Sequence, residues 1–395
     1  MSLLDELTKQ LDEKQDRIIE IRRYLHQHPE LSFEEEETAA YISEFYKDVP
    51  VDSVETNFGG QRGVLVTIKG EQPGKTIAIR ADFDALPIQE ETDLPFASKN
   101  KGVMHACGHD GHTAYMLVLG ETLAELKDQL KGTVKIIHQP AEEVPPGGAK
   151  GMIEAGALDG VDVVFGIHVM SEMETGKVYV RSGNTQTGRA KFVMKVQGKG
   201  GHGSSPHAAN DAIVAASAFV MNVQTIISRR LNPFDTAVVT IGSFDGKGQF
   251  NVIKDAVTLE GDVRTMSDEA RETVEKQVRK MAKGLEETYG VTVDLNYAND
   301  YPVLYNDPEE SEKVRQALMD ANIPEVDEVV DMDPVPPSED FAYYLREVPG
   351  TFFYVGANPE GKEAYPHHHP KFEINEKSLI ISAKSMAAVV AAYCG

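Results

Sequence analysis

The sequence predicts an α/β chain in two parts: a mostly parallel sheet with helices on both faces, and a smaller ferredoxin-like α+β module inserted into it. Three observations predict it. Apolar strand-like runs alternate with helix-spaced patterns early in the chain. A β-α-β-β-α-β order occupies the middle, and the residues suited to chemistry fall at the ends of the apolar runs.

In chain order, Ile18, Ile21 and Leu25 recur at helical spacing, and Ser32 with Glu35 reads as a capping box opening a second helix through Tyr41 and Phe45. Strand-like runs follow at 63–68, 76–79, 133–137 and 161–165, with the helix pattern Leu117, Leu119, Leu123, Leu126 between the second and third. Strands separated by helices call for parallel pairing, because a parallel return needs a crossover. The middle reads as a strand at 191–197, a helix at 208–229, strands at 236–241 and 256–264, a helix at 268–289 and a strand at 291–295. That is the split βαβ order. A helix at 311–322, a loop at 334–340, a strand at 352–355 and a helix at 379–393 then resume the first part. The boundaries expected are 1–186 with 299–395 for the first domain and 187–298 for the insertion. The acidic run 34–37 reads as a solvated helix face.

A length of 395 residues suits two domains, and 41% hydrophobic with 26% charged residues is a globular composition. The net charge of -24, from 39 basic and 63 acidic residues, argues against nucleic acid or anionic membrane as partner. No stretch reads as an apolar leader or as long enough to span a membrane. The two cysteines, Cys107 and Cys394, lie far apart, so a disulfide framework is not expected. A cytoplasmic location is the expectation.

Residues 105–112 read His105-Ala-Cys107-Gly-His109-Asp110-Gly-His112, five potential metal ligands in eight residues ahead of a helix pattern. Thiol, imidazole and carboxylate are the donors that hold divalent transition metals, and crowding them favours a shared cation over a polar loop with one structural Cys. Asp82 and Asp84 follow the second strand run, Glu142 and Glu143 the third, and His168 the fourth. In open α/β sheets ligands bind at those carboxyl ends. Of the adjacent Glu142 and Glu143, one can ligate a metal while the other acts as general base. A late histidine from His367-His368-His369 would complete the set.

Arg80-Ala-Asp-Phe-Asp84-Ala-Leu-Pro87, His105 to His112, Gln139-Pro-Ala-Glu142-Glu143, Gly166-Ile-His168, Gly201-His202, Asn251-Val-Ile253, Ser338-Glu-Asp-Phe341 and His368-His-Pro370 resemble, in order, the M20 metallopeptidase family. The closer resemblance is to its aminoacylase-like amidohydrolase branch, with auxin-conjugate hydrolases, hippurate hydrolases and N-acetyl-diaminopimelate deacetylases. The resemblance implies two divalent metal ions (zinc, manganese, nickel or cobalt) held by Cys107, His109, Glu143, His168 and His368, with Cys107 bridging them. It implies Glu142 as the base, Asp84 as an orienting carboxylate, His202 as an oxyanion donor from a lid domain, and Asn251 and Arg264 as substrate-carboxylate contacts. A homodimer, or a tetramer, through the lid is also implied. Lys254 departs from the family by standing where proline usually follows Asn-Val-Ile. The activity expected is hydrolysis of the amide bond of small N-acyl amino acids. A dipeptidase or esterase on the same centre, or a metal-dependent small-molecule binder, are the alternatives.

Overall fold

The computed structural model describes residues 2–60 and 62–395. They form two compact units: residues up to Gly183 with Tyr305–Asp333 and Asp340–Gly395, and Asn184–Leu304 with Pro334–Glu339. The second unit is therefore wider than the 187–298 read from the pattern. The segment 334–339, read as part of the first domain, joins it because Thr187 N–H donates to the Pro337 carbonyl (3.0 Å) and Val335 N–H to the Thr185 carbonyl (2.9 Å).

The first unit holds an eight-stranded sheet. Its four central strands are parallel: Gln72–Asp82 lies between Lys131–Gln139 and Val163–Met170, and the last also pairs with Gly350–Gly356. Every residue of Gly350–Gly356 is buried, so both faces of the sheet are covered there. The sheet as a whole is mixed, with four parallel pairings, Glu328–Asp331 on Lys177–Val180 among them, and three antiparallel ones. Ser53–Phe58 and Gly63–Lys69 form an antiparallel hairpin, Gly63–Lys69 also runs antiparallel to Lys131–Gln139, and Lys177–Val180 runs antiparallel to Gly350–Gly356. The hairpin's chain reversal is too short for a parallel crossover, and Gly59 and Gly60 turn it at positive φ.

The helix Leu3–Glu13 buries Leu3, Leu7 and Leu11 on one face, and His109–Glu125 and Lys377–Cys394 are buried on nearly every side. The helix Glu36–Phe45 corrects the expected capping box. Neither Ser32 nor Glu35 caps it; Glu30 accepts from Glu37 N–H (3.0 Å) and Thr38 N–H (2.7 Å) instead. Ser32 and Glu35 point elsewhere, as the site shows.

The second unit has a four-stranded sheet ordered Ala237–Asp245, Ala256–Thr265, Gly188–Gln197, Thr292–Asn299, antiparallel throughout, with helices Ala212–Arg229 and Asp268–Tyr289. Along Gly188–Gln197 burial alternates, with Ala190, Phe192, Met194 and Val196 inward, as a sheet with one covered face requires. Two helices, Ala212–Arg229 and Lys377–Cys394, have the length and apolar composition of a membrane span, contrary to the sequence reading. Lys377–Cys394 is apolar because it is a core helix, 78% buried. Ala212–Arg229 is only 33% buried and leaves Val214 and Met221 exposed.

Candidate metal centre

The central parallel strands deliver the site. Asp82 ends its strand rather than following it, and His168 lies inside Val163–Met170, which runs five residues past the apolar run that ended at 165. Glu142 and Glu143 stand just beyond Lys131–Gln139, and His109 opens a helix whose N-cap is Gly108. Gly108 has φ +93°, and a Cβ there would lie 2.5 Å from Val169 Cγ2, so only glycine lets the Cys107 turn sit this close to the sheet.

Two groups of three donors converge, each with its ligand atoms within 4.8 Å of one another: Cys107, His109 and His168, and Cys107, Glu143 and His368. Cys107 belongs to both. His109 also joins Glu142 and Glu143 in a third such group. The histidines are held in ligand-ready tautomers. His168 Nδ1–H donates to the Val169 carbonyl (2.7 Å), which leaves Nε2 bare 3.6 Å from Cys107 Sγ. His109 Nδ1 faces the Asp84 carbonyl (3.0 Å) and Asp84 Oδ1 (3.1 Å), and its buried Nε2 has no hydrogen-bond partner. Glu143 Oε1, also buried, has none either. His368 Nε2 lies 3.2 Å from Glu143 Oε2, with its backbone N–H on the Ala106 carbonyl (2.8 Å).

Asp84 collects the Ser32 hydroxyl (2.7 Å), the Glu143 N–H (3.0 Å) and His109, so it orients both neighbours. Burial would raise it, but those hydrogen bonds hold it below its usual range. Cys107 goes the other way. Burial first, then the negative charges of Glu143, Glu142 and Asp82, push its thiol well above the usual value. For His109 burial is outweighed by Asp82, Asp84 and Glu143, which raise it to about 10. A pocket that suppresses a thiolate and binds a proton on an imidazole among carboxylates is short of positive charge. Bare imidazole nitrogen, thiol sulfur and unpartnered carboxylate oxygen are the donors a divalent transition metal takes, so the residues present fit such an ion.

Other members of the packet have different work. His112 Nδ1 meets Asp82 Oδ1 at 2.6 Å and its Nε2 accepts from Val169 N–H at 3.0 Å, leaving no nitrogen for a metal. Asp110 is tied to Arg22 (2.9 Å) and His26 (2.8 Å). His105 is buried in the helix-side core, with burial lowering it to about 4. His369 accepts from Lys371 N–H (3.0 Å) and stacks on Tyr365.

Sequence reasoning missed several supports. Glu35, fully buried, accepts the Ala141 N–H at 2.8 Å, and Ala141 sits at φ +54° immediately before Glu142. Arg80 donates to Asp82 (2.5 Å), Gln139 (2.9 Å) and Asp340 (2.9 Å), and Gln139 and Ala149 N–H also donate to Asp340. The alternation Arg80, Asp82, Asp84 was the available signal, since i, i+2 residues share one face of a strand. In the second unit, His202 and Asn251 are neighbours: Val252 pairs with His202, and Gly203 N–H donates to the Asn251 carbonyl (2.8 Å). His202 Nδ1 meets the Ser204 hydroxyl at 2.8 Å and the Ser204 N–H at 3.2 Å, which holds the exposed ring with Nε2 away from that turn. Arg264 lies near the opposite end of Ala256–Thr265, donating to Asp262 (2.9 Å) and Ser338 (3.2 Å), and is not gathered with Asn251.

Residues 78–392 match peptidase family M20/M25/M40. The chain is also 40% identical to the N-acetyl-L-cysteine deacetylase of Bacillus subtilis, over 92% of this chain and 85% of that one. The chain belongs to peptidase family M20/M25/M40. Among solved structures, this M20 chain is 65% identical to a protein of methicillin-resistant Staphylococcus aureus, an aminohydrolase by provisional assignment. The match has a TM-score of 0.95 and covers 99% of this chain and 100% of that one. It is 36% identical to a Bacillus subtilis protein described as a dinuclear metal binding peptidase of the M20 family, with a TM-score of 0.83 and coverage of 96% and 98%. The M20 match runs through both donor groups and ends close to the chain terminus.

Proposed function

We propose that this M20 hydrolase cleaves the amide bond of small N-acyl amino acids, using two divalent metal ions held by Cys107, His109, Glu143, His168 and His368. The observation that carries the reading is the membership of Cys107 in both donor groups, His109 with His168 on one side and Glu143 with His368 on the other. Two ions so held supply Lewis-acid polarisation of the acyl carbonyl and a water of lowered pKa. Glu142, buried beside His109 and Glu143, takes the proton of the attacking water and returns it to the departing amine, a role worth about 10²- to 10⁴-fold. The amine needs that proton because its anion is a poor leaving group. Asp84 holds the His109 ring and the Glu143 backbone.

His202 is the oxyanion donor in this reading, supported by its exposed ring, which Ser204 holds through Nδ1 so that Nε2 is left for a ligand. Asn251, beside it, receives the substrate carboxylate; Arg264, at the far end of Ala256–Thr265 and held by Asp262 and Ser338, does not share that contact within one chain. The second unit acts as lid and dimerisation domain. Its support is an edge strand, Ala237–Asp245, with a single neighbour in its sheet, and apolar side chains left exposed: Val238 on that strand, Val214 and Met221 on the adjoining helix. A second copy pairing there would cover both. Two buried free cysteines are compatible with a reducing, cytoplasmic setting.

The test is turnover of the metal-reconstituted protein on matched panels of N-acyl amino acids, dipeptides and esters, with zinc, manganese, nickel and cobalt compared. The proposal expects the highest kcat/KM on N-acyl amino acids and none after chelation. Dipeptides turned over faster than every N-acyl amino acid would move the assignment to a dipeptidase, and stoichiometric metal without hydrolysis of any panel would make the protein a binder.

A further inference from the structure

Two histidines flank the Cys107 sulfur at nearly the same distance, His168 Nε2 at 3.6 Å and His367 Nδ1 at 3.5 Å, yet they present opposite faces to it. His168 has its proton on Nδ1, committed to the Val169 carbonyl, and turns a lone pair toward the sulfur. His367 is the reverse case. Its Nε2 accepts the backbone N–H of Ser171 at 3.3 Å, which only an imidazole with its proton on Nδ1 can do. The nitrogen facing Cys107 is then an N–H donor with no lone pair for a metal. The ring is locked in place: Phe372 packs against it at 4.8 Å between centroids, His168 lies edge-on at 5.3 Å, and the Ser171 hydroxyl ties down the Tyr365 carbonyl two residues upstream.

We propose that His367 is a positioning residue that donates an Nδ1–H···S hydrogen bond to the Cys107 thiolate when that sulfur bridges the two ions. This rests on the dinuclear reading above. It also separates the three consecutive histidines by role: His368 stands with the ligands, His369 holds the following turn, and His367 takes up sulfur electron density from outside the metal pair. A thiolate shared by two cations keeps a lone pair that no ion uses, and in a buried pocket crowded by Glu142, Glu143 and Asp82 that density has no water to solvate it. A charge-assisted N–H···S⁻ contact meets the need and steers the sulfur into the bridge.

The experiment compares His367→Phe, which keeps a ring against Phe372 and His168 but removes the donor, with His367→Asn, whose side-chain amide nitrogen falls where Nδ1 stood. Each is loaded with cobalt(II), and the thiolate-to-cobalt charge-transfer band is recorded with the metal stoichiometry. The donor lowers the energy of the sulfur orbitals, so H367F should bind two ions and shift the band to longer wavelength, while H367N should return it toward the wild-type position. In the zinc-loaded proteins, peroxide should oxidise Cys107 about tenfold faster in H367F, located by peptide mass, with H367N again close to wild type. An H367F band at the wild-type wavelength overturns the proposal, and so does loss of one metal equivalent, which would make His367 a ligand. A wild-type cobalt protein with no such band fails differently, because it removes Cys107 from the ligands altogether.

Discussion

Glu35 gives a test that follows from geometry the metal-free protein already has. Its carboxyl is fully buried, takes the Ala141 N–H, and is raised from 4.5 to about 8, first by burial and then by the neighbouring charge of Asp84. The folded protein therefore holds that proton more tightly than the unfolded chain, and between pH 4.5 and 8 folding stability falls as pH rises. Below that window both states are protonated and nothing is lost; above it both are ionised and the loss is complete. At about 1.4 kcal/mol per pH unit the ceiling is about 5 kcal/mol, and local relaxation with water entry cuts this to roughly 2–3 kcal/mol. Glu35→Gln keeps an oxygen for Ala141 but has no proton to lose. In urea titrations of the metal-free protein at pH 4.5, 6, 7 and 8, E35Q should match wild type at the low end and exceed it increasingly up to pH 8. Glu35→Leu should instead leave the Ala141 N–H buried without an acceptor, costing about 1–3 kcal/mol, and should lower kcat of the reconstituted enzyme because Ala141, at φ +54°, carries Glu142 directly. A gap between E35Q and wild type that does not change with pH refutes the electrostatic argument. Full kcat in E35L refutes the clamp.

Three further outcomes follow. Arg80→Met strips the partners from Asp82 and Asp340 inside the core and should cost about 3–5 kcal/mol in denaturant titrations, a loss under 1 kcal/mol showing that the network is relaxed by water. Peroxide should inactivate metal-free protein faster than metal-loaded protein with the adduct on Cys107, and an adduct confined to Cys394 would count against the bridging role. His202→Ala should lower kcat by about 10²- to 10³-fold with bound metal unchanged; mixing it with inactive Glu142→Gln under proven subunit exchange restores activity if the donor acts across a dimer, and no recovery confines it to one chain.

The strands were legible because their apolar runs are uninterrupted where both sheet faces are covered and alternate where one is, as Gly350–Gly356 and Gly188–Gln197 illustrate. The helix Asp268–Tyr289 was readable to its ends, Ser267 capping one and Gly290 at φ +64° closing the other. The antiparallel edges were not, since pairing direction depends on where the chain goes after a turn. Ser32 and Glu35 misled for a related reason: their spacing is that of a capping box, but their side chains meet Asp84 and Ala141, more than 50 residues away. Local pattern carries no information about a distant competitor for the same hydrogen bond. The donor groups were legible as residue types in a packet, while His112 and His367 were not separable from the proposed ligands until the partner of each ring nitrogen was known.

The central claim is a two-metal centre in which Glu143 binds and Glu142 moves the proton, and the most direct measurement is metal content and turnover on one sample of Glu142→Gln. The account predicts two divalent ions per chain, as in wild type, with kcat on an N-acyl amino acid reduced about 10²- to 10⁴-fold. A variant that loses an ion, or that binds both and still turns over at the wild-type rate, would contradict it.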